Sequence, residues 1–290
     1  MFKIIHKQII AQDIKKIDIS APAIAARALP GQFVMVTPFK GDDNIPMTIV
    51  DSDERRSVIS LLVHEVGAST RKLGDISIGE SIYQMVGPLG LPAQLDKYGL
   101  VICVATGIGV AQILPVCRGL KKKGNKIIGI IGAKSKKVLM LEAQMRVVCD
   151  EVFITTNDGS YERRGLATDL LKELLNKYTV NRVYAIGSVE MMQAASAMTK
   201  DRHIPLRVTL SPYMVNGLGL CGSCRVKIDG QSRLACVEGP EFDGHLVDYQ
   251  DLSQRMNTLE LRSWENRSPV ALKRPGFAGL VKSLWGSTKK

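Results

Sequence analysis

LVICVATGIGVAQILPVCRGLKKKGNKIIGIIGAKS, residues 100–135, decides the architecture of this 290-residue chain. An apolar run, LVICVA (100–105), meets a glycine turn, TGIG (106–109). A helix-length stretch, VAQILPVCRGLKKKG (110–124), leads to a second apolar run, KIIGIIG (126–132). Strand, turn, helix, strand is the repeating unit of a parallel sheet, because parallel neighbours need a crossover between them. Runs that are apolar at every position predict strands covered on both faces. The alternation continues through helix VLMLEAQMRVVC (138–149), strand EVFITT (151–156), helix ATDLLKELLNKY (167–178) and strand RVYAIG (182–187), with VTLS (208–211) as an edge strand. An α/β nucleotide-binding domain is therefore expected over residues 100–210.

The residues before Leu100 follow a different pattern. Ile59, Leu61 and Val63 alternate within RSVISLLVHEV (56–66), and ALPGQFVMV (28–36) reads as a turn feeding a short strand. Gly74-Asp75 and Gly87-Pro88 punctuate the segment, and no long helical period interrupts it. A small antiparallel barrel is expected over residues 1–99, giving an α/β plus all-β chain. After the nucleotide domain comes a cysteine-rich module (211–250), then a Pro-, Ser- and Lys-rich tail (251–290).

Composition bounds the function. The net charge is +11, yet residues 262–290 hold seven Lys/Arg against the single acid Glu265. The remainder carries no basic stripe interleaved with aromatics, so nucleic acid is not an expected partner. The first twenty residues contain no signal-peptide pattern, and the apolar stretch from Leu100 to Val116 is broken by glycines and Pro115. A cytoplasmic protein without membrane association is expected. In the tail, Phe277, Leu280, Val281, Leu284 and Trp285 fall on one face of a short helix surrounded by lysines and Arg274, suited to docking on a partner.

Three segments carry the candidate chemistry. In ATGIGV (105–110) the glycines open a strand-to-helix turn whose amides and dipole favour a phosphate. A full dinucleotide fingerprint would add a third glycine near Gln112 and an acid after the next strand, and neither is present. Asp158-Gly159 and Gly187 lie beyond the next two strands, where open α/β sheets bind ligands. In VGASTRKLGD (66–75), Gly67, Ser69 and Thr70 mark a helix start that suits either a pyrophosphate or an ordinary cap.

The third segment, VNGLGLCGSCRVKIDGQSRLACVEG (215–239), contains Cys221, Cys224 and Cys236. Asp229-Gly230 is a two-residue hairpin turn, and pairing about it sets Cys224 opposite Ala235, one residue from Cys236. The x2 spacing brings Cys221 to the same place, so a metal site is expected. Plant-type iron–sulfur spacing puts a fourth ligand at Asn216, whereas zinc would recruit His245. Cys103, Cys117 and Cys149 sit in apolar settings and read as core thiols.

Barrel, nucleotide domain and iron–sulfur module, in that order, resemble the ferredoxin-reductase-like electron-transfer subunits. The likeness is carried by PGQFV (30–34), IPMTIVD (45–51), EVGAST (65–70), VGPLG (86–90), ATGIGVA (105–111), IGAKS (131–135), TNDGS (156–160), AIGSVEMM (185–192) and CVEGPEFDGHLVD (236–248). Two members are similar: the electron-transfer subunit of dihydroorotate dehydrogenase, and the small subunit of NADH-dependent reduced ferredoxin:NADP oxidoreductase. The last motif points to the second.

The resemblance implies an NAD(P)H-dependent flavin and iron–sulfur oxidoreductase subunit with FAD, NAD(H) and a [2Fe-2S] cluster. It puts Pro46, Met47, Thr48 and His64 beside the flavin ring, and Gly67, Ser69 and Thr70 at its pyrophosphate. NAD(H) maps onto Thr106, Gly107, Ile108, Gly109, Gly132, Asp158, Gly159 and Gly187, and the cluster onto Cys221, Cys224, Cys236 and Asn216. No acid–base catalyst is implied, since hydride transfer demands none. A larger partner bearing another flavin and [4Fe-4S] clusters is implied as well. Two departures stand out. Relatives carry an arginine near Asn44 or Ile45, and a cysteine or aspartate where this chain has Asn216. NADP remains open because Lys134, Lys136 and Lys137 follow the second strand. A zinc-stabilised assembly module without redox function is the alternative of a different class.

Overall fold

The computed structural model describes residues 2–257, and the tail stripe at 277–285 lies outside them. The first unit is built from β1 (Phe2–Ala11), β2 (Ile14–Ser20), α1 (Pro22–Ala25), β3 (Phe33–Thr37), β4 (Ile45–Asp53), β5 (Val58–His64), α2 (Ala68–Asp75), β6 (Ser81–Ile82) and β7 (Gln84–Leu89). All strand pairs are antiparallel, in the order β6-β1-β2-β5-β4-β3-β7. Only Tyr83 separates β6 from β7, so the chain itself links the two edges and nearly closes the barrel. Ile4, Ile17, Val34, Ile59, Leu61 and Val63 fill its interior.

The alternation of β5 holds, with Ile59, Leu61 and Val63 in the barrel core, but its other face is buried as well, since Val58 through Val63 are all buried. Leu62 points outward, but together with Ile14 and Val50 it packs on the second unit instead of meeting water. Phe33 and Met35 do the same from β3. The barrel is therefore joined to its neighbour by two apolar patches, which flank a cleft.

The second unit contains β8 (Leu100–Thr106), α3 (Gly109–Lys122), β9 (Lys126–Ala133), α4 (Glu142–Val148), β10 (Glu151–Thr156), β11 (Arg163–Arg164), α5 (Ala167–Lys177), β12 (Arg182–Ile186), α6 (Val189–Lys200) and β13 (Leu206–Thr209). The order is β11-β10-β9-β8-β12-β13, all parallel. Val101, Cys103 and Ala105 of β8 face α3 and α4, while Ile102 and Val104 face α5 and α6. The strand order reverses between β8 and β12, which opens a crevice at their carboxyl ends.

Three details depart from the sequence expectations. The helix read over 138–149 is confined to Glu142–Val148, because Leu141 adopts a left-handed conformation just before it. Helix α6 was not read, since its buried side includes Ser196 and Thr199 and so gives a weak apolar stripe. Residues 206–209 are not the sheet edge.

The third unit explains why. It is formed by β14 (Arg225–Ile228), β15 (Gln231–Leu234), α7 (Ala235–Glu238) and β16 (Glu241–Asp243). Strand β16 pairs antiparallel with β13 and becomes the edge. Residues 249–257 are helical, with Leu252 buried, so the chain stays packed beyond the expected start of the tail at Asp251. Cys224, Val226, Cys236 and Phe242 share one core with Phe33 and Met35 of the barrel. The three core thiols, Cys103, Cys117 and Cys149, are buried as expected.

Candidate functional site

A cavity of about 280 Å³ lies between the barrel and the carboxyl end of the parallel sheet. Pro46, Met47 and Thr48 of β4, His64 at the end of β5 and Thr70 of α2 line it from the barrel. Ile108 faces them from the turn before α3. Six residues named from sequence thus meet around one space. Gly67 and Ser69 belong to the same helix start as Thr70, whose hydroxyl accepts from the Gly67 amide at 3.0 Å. The sequence reading missed Gly31, Gln112, Ser211, Pro212, Met214 and Pro240, which also line the cavity. Ser211 and Pro212 follow directly on β13, so the carboxyl-end rule, applied to that strand, would have found them.

The chemistry of this lining fits a flavin. Phe33, Met47, Leu62 and Met214 provide apolar walls, and Thr48, His64, Gln112 and Ser211 provide a few polar contacts. Asn44, one of the two positions near which the resemblance implies an arginine, accepts a hydrogen bond from the Thr37 hydroxyl.

The crevice between β8 and β12 holds Thr106 to Gly109 and Gly187. The Gly107 amide donates to the Gly132 carbonyl at 3.1 Å, anchoring the turn on β9. Gly132 itself is buried, and a Cβ there would stand 2.9 Å from Thr106 Cγ2, so it packs beneath the turn. Gly107 differs from its neighbours, with φ +54° and open space where a side chain would point. It leaves room for a nucleotide phosphate against the start of α3. Beyond β10, the Lys136 amide donates to Ser160 Oγ at 2.8 Å. That hydroxyl donates to Asp158 Oδ1 at 2.7 Å. The Ser160 hydroxyl, with its amide, holds the Asp158 carboxyl below its ordinary range. Asp158 and Gly159 therefore stand on a defined turn at the end of the sheet, whereas Lys136 lies over the Tyr161 ring.

The cysteine loop forms the third part. Asp229 and Gly230 both have positive φ, as the hairpin turn requires, and the Ala235 amide donates to Cys224 O at 3.2 Å. Cys224 and Cys236 are buried with their sulfurs 3.3 Å apart. Cys221 is exposed, 3.2 Å from Ser223 Oγ. The Ser223 hydroxyl, aided by the amides of Ser223, Asn216 and Val215, lowers the Cys221 thiol to about 7. Burial and the neighbouring Cys224 thiol push Cys236 up to about 11.

Among the described residues no three His, Cys, Asp or Glu side chains converge on one metal position. A tetrahedral zinc needs that convergence. A two-iron cluster does not, since its ligands are shared between two metals. Cys224 and Cys236 form one close pair, and the Cys221 thiol meets the amides of residues 215 and 216. His245, the zinc candidate, is bonded through Nε2 to Thr199 Oγ1 at 2.9 Å. That threonine hydroxyl in turn donates to the Ala195 carbonyl. The Asn216 amide oxygen accepts from the Leu218 amide at 2.9 Å, leaving one lone pair for a metal.

The loop is seated against the barrel. A side chain on Gly217 would run into Met35, and Met214, two residues before Asn216, lines the cavity.

Comparison with known proteins agrees with this arrangement. Residues 211–248 match the iron–sulfur cluster binding domain of dihydroorotate dehydrogenase B. An uncharacterized protein of the adh 3′ region of Clostridium beijerinckii is 37% identical, covering 88% of this chain and 89% of its own length. The dihydroorotate dehydrogenase B (NAD(+)) electron transfer subunit homolog of Thermotoga maritima is 35% identical, covering 88% and 90%. Among solved structures, one of NADH-dependent reduced ferredoxin-NADP oxidoreductase superposes with a TM-score of 0.86 at 32% identity, covering 92% of this chain and 97% of that one. Phthalate dioxygenase reductase, at 16% identity and a TM-score of 0.53 over 83% and 94%, shares the fold.

Proposed function

This chain belongs to the ferredoxin-reductase-like electron-transfer subunits that include that of dihydroorotate dehydrogenase B, and on that premise we propose that it passes electrons between NAD(H), FAD and a [2Fe-2S] cluster. The observation that carries this reading is adjacency. Met214 lines the cavity, and the cysteine loop begins two residues later, packed on Met35 of the barrel. When bound, the flavin exchanges hydride with nicotinamide and single electrons with the cluster, a conversion that no side chain can perform.

The chain's own residues bind and orient. Pro46, Met47, Thr48 and His64 would hold the flavin ring, with the α2 amides near Gly67, Ser69 and Thr70 at its phosphates. Thr106, Gly107 and Gly109 would take the dinucleotide phosphates, with Asp158 and Gly159 toward the adenosine side and Gly187 across the crevice. Cys221, Cys224 and Cys236, with Asn216 in fourth place, would hold iron. Amides facing the sulfurs offset the negative charge the cluster brings.

Domain limits near 99, 210 and 250 suit these roles, although the last unit also completes the sheet through β16. A larger flavin and [4Fe-4S] subunit is the proposed partner, meeting the loop through exposed Val215, Leu218, Leu220 and Val237. No helix among the described residues is long and apolar enough to cross a membrane, which suits a cytoplasmic site. Anaerobic purification tests the proposal. Flavin absorption with an iron–sulfur shoulder, bleached by NADH, is the expected spectrum, and a colourless zinc protein contradicts it.

A further inference from the structure

Ser223 lies between two groups that fix what its hydroxyl does. The Val215 amide donates to Ser223 Oγ at 3.2 Å, occupying a lone pair. Cys221 Sγ is 3.2 Å away on the other side. A sulfur bound to iron carries no proton, so within that pair only the hydroxyl can donate. The backbone keeps the donor in place, since the Ser223 carbonyl accepts from Arg255 Nη2 at 3.3 Å. A relay therefore runs from the Val215 amide through Ser223 to the cysteine that stands nearest solvent.

We infer that Ser223 is a positioning residue whose hydroxyl, aligned by the Val215 amide, donates to the Cys221 sulfur and raises the reduction potential of the cluster. The inference rests on the cluster reading of the cysteine loop. Reduction adds negative charge that is shared with the sulfurs, and a donor aimed at one of them stabilises the reduced state more than the oxidised one. Two neutral features then act in the same direction at this end of the cluster. Asn216 would supply an uncharged ligand, and Ser223 would offset charge on the Cys221 thiolate. Among the described residues, no hydroxyl donates to the buried sulfurs of Cys224 and Cys236, which contact each other.

The test is an EPR-monitored redox titration of the anaerobically purified protein beside Ser223→Ala, Ser223→Thr and Ser223→Val, with iron measured in each. Thr and Val have the same shape and differ in the hydroxyl. Wild type and Ser223→Thr are expected to share a midpoint. In Ser223→Ala and Ser223→Val the ratio of reduced to oxidised cluster at that potential should fall about tenfold, about 59 mV for a one-electron couple. One midpoint for all four proteins, with iron retained, overturns the inference. So does cluster loss from Ala and Val alone, which would make the hydroxyl a structural tether. If only Ala sheds iron, the Thr and Val pair decides by the same criterion. Absence of any iron–sulfur signal in the wild type would instead remove the cluster reading itself.

Discussion

A Cβ on Gly109 would clash with the carbonyl oxygen of Ile186. Gly109 is therefore required by the packing of α3 against β12, before any ligand arrives. Gly107, two residues earlier, has a positive φ and open space around it. The two substitutions should consequently separate. Gly109→Val is expected to push α3 off the sheet and reduce folded yield and flavin content together. Gly107→Asn, which tolerates a left-handed backbone, should keep the fold and raise the Kd for NADH by about tenfold or more. Equal behaviour of both variants in thermal melting and NADH titration would contradict this division.

His245 and Asn216 test which metal the loop holds. His245→Ala should retain iron and lose about 1 kcal/mol of stability with the Thr199 hydrogen bond. Asn216→Asp should retain the cluster at a lower potential, and Asn216→Ala should lose iron more readily. Metal analysis with chemical denaturation reads all three. Loss of metal from His245→Ala, with Asn216→Ala unchanged, would restore the zinc reading.

Leu220 is 83% exposed on the loop that carries Cys221. A large side chain left in water beside a redox centre is suited to a protein interface. Leu220→Glu should weaken co-purification with the larger subunit while flavin and iron content stay at wild-type levels. Undiminished co-purification would move the interface elsewhere.

Glu241 gives a pH dependence of defined sign. Burial raises its carboxyl above the ordinary range and outweighs the opposing help of the Gln94 amide and Arg207. In the window above the ordinary carboxyl range and below the raised value, the folded state holds a proton that the unfolded state has released. Its contribution to stability is then fully present at low pH and declines as pH rises through that window. Glu241→Gln removes the titration, so its stability relative to wild type should improve as pH rises above the ordinary carboxyl range. Paired denaturation curves across that range measure the difference, and a pH-independent difference would refute the assignment.

Much of this was legible in the sequence, for identifiable reasons. The Asp229-Gly230 turn fixes a register, so the proximity of Cys224 and Cys236 follows from counting. The stripe Leu170, Leu171, Leu174 and Leu175 announces α5 by spacing alone. What escaped depends on the chain returning from a distance. Leu62 is buried only because α3 covers the barrel, which no local alternation records. Ser211 and Met214 line the cavity because β13 ends beside a barrel more than a hundred residues earlier in the chain. Strand β16 reaches the sheet from within the cysteine module, so residue order hides its partner. The hydroxyl of Ser223 was passed over because serine between cysteines carries no spacing rule.

The central claim is an ordered path from nicotinamide through the cavity to the cysteine loop. Rapid mixing of the anaerobic protein with NADH, followed by absorbance and freeze-quench EPR, tests it most directly. The account predicts that flavin bleaching comes first, that the reduced-cluster signal follows, and that Gly107→Asn slows both. A reduced-cluster signal that appears without prior flavin bleaching, or a bleached flavin beside a cluster that never changes, would contradict it.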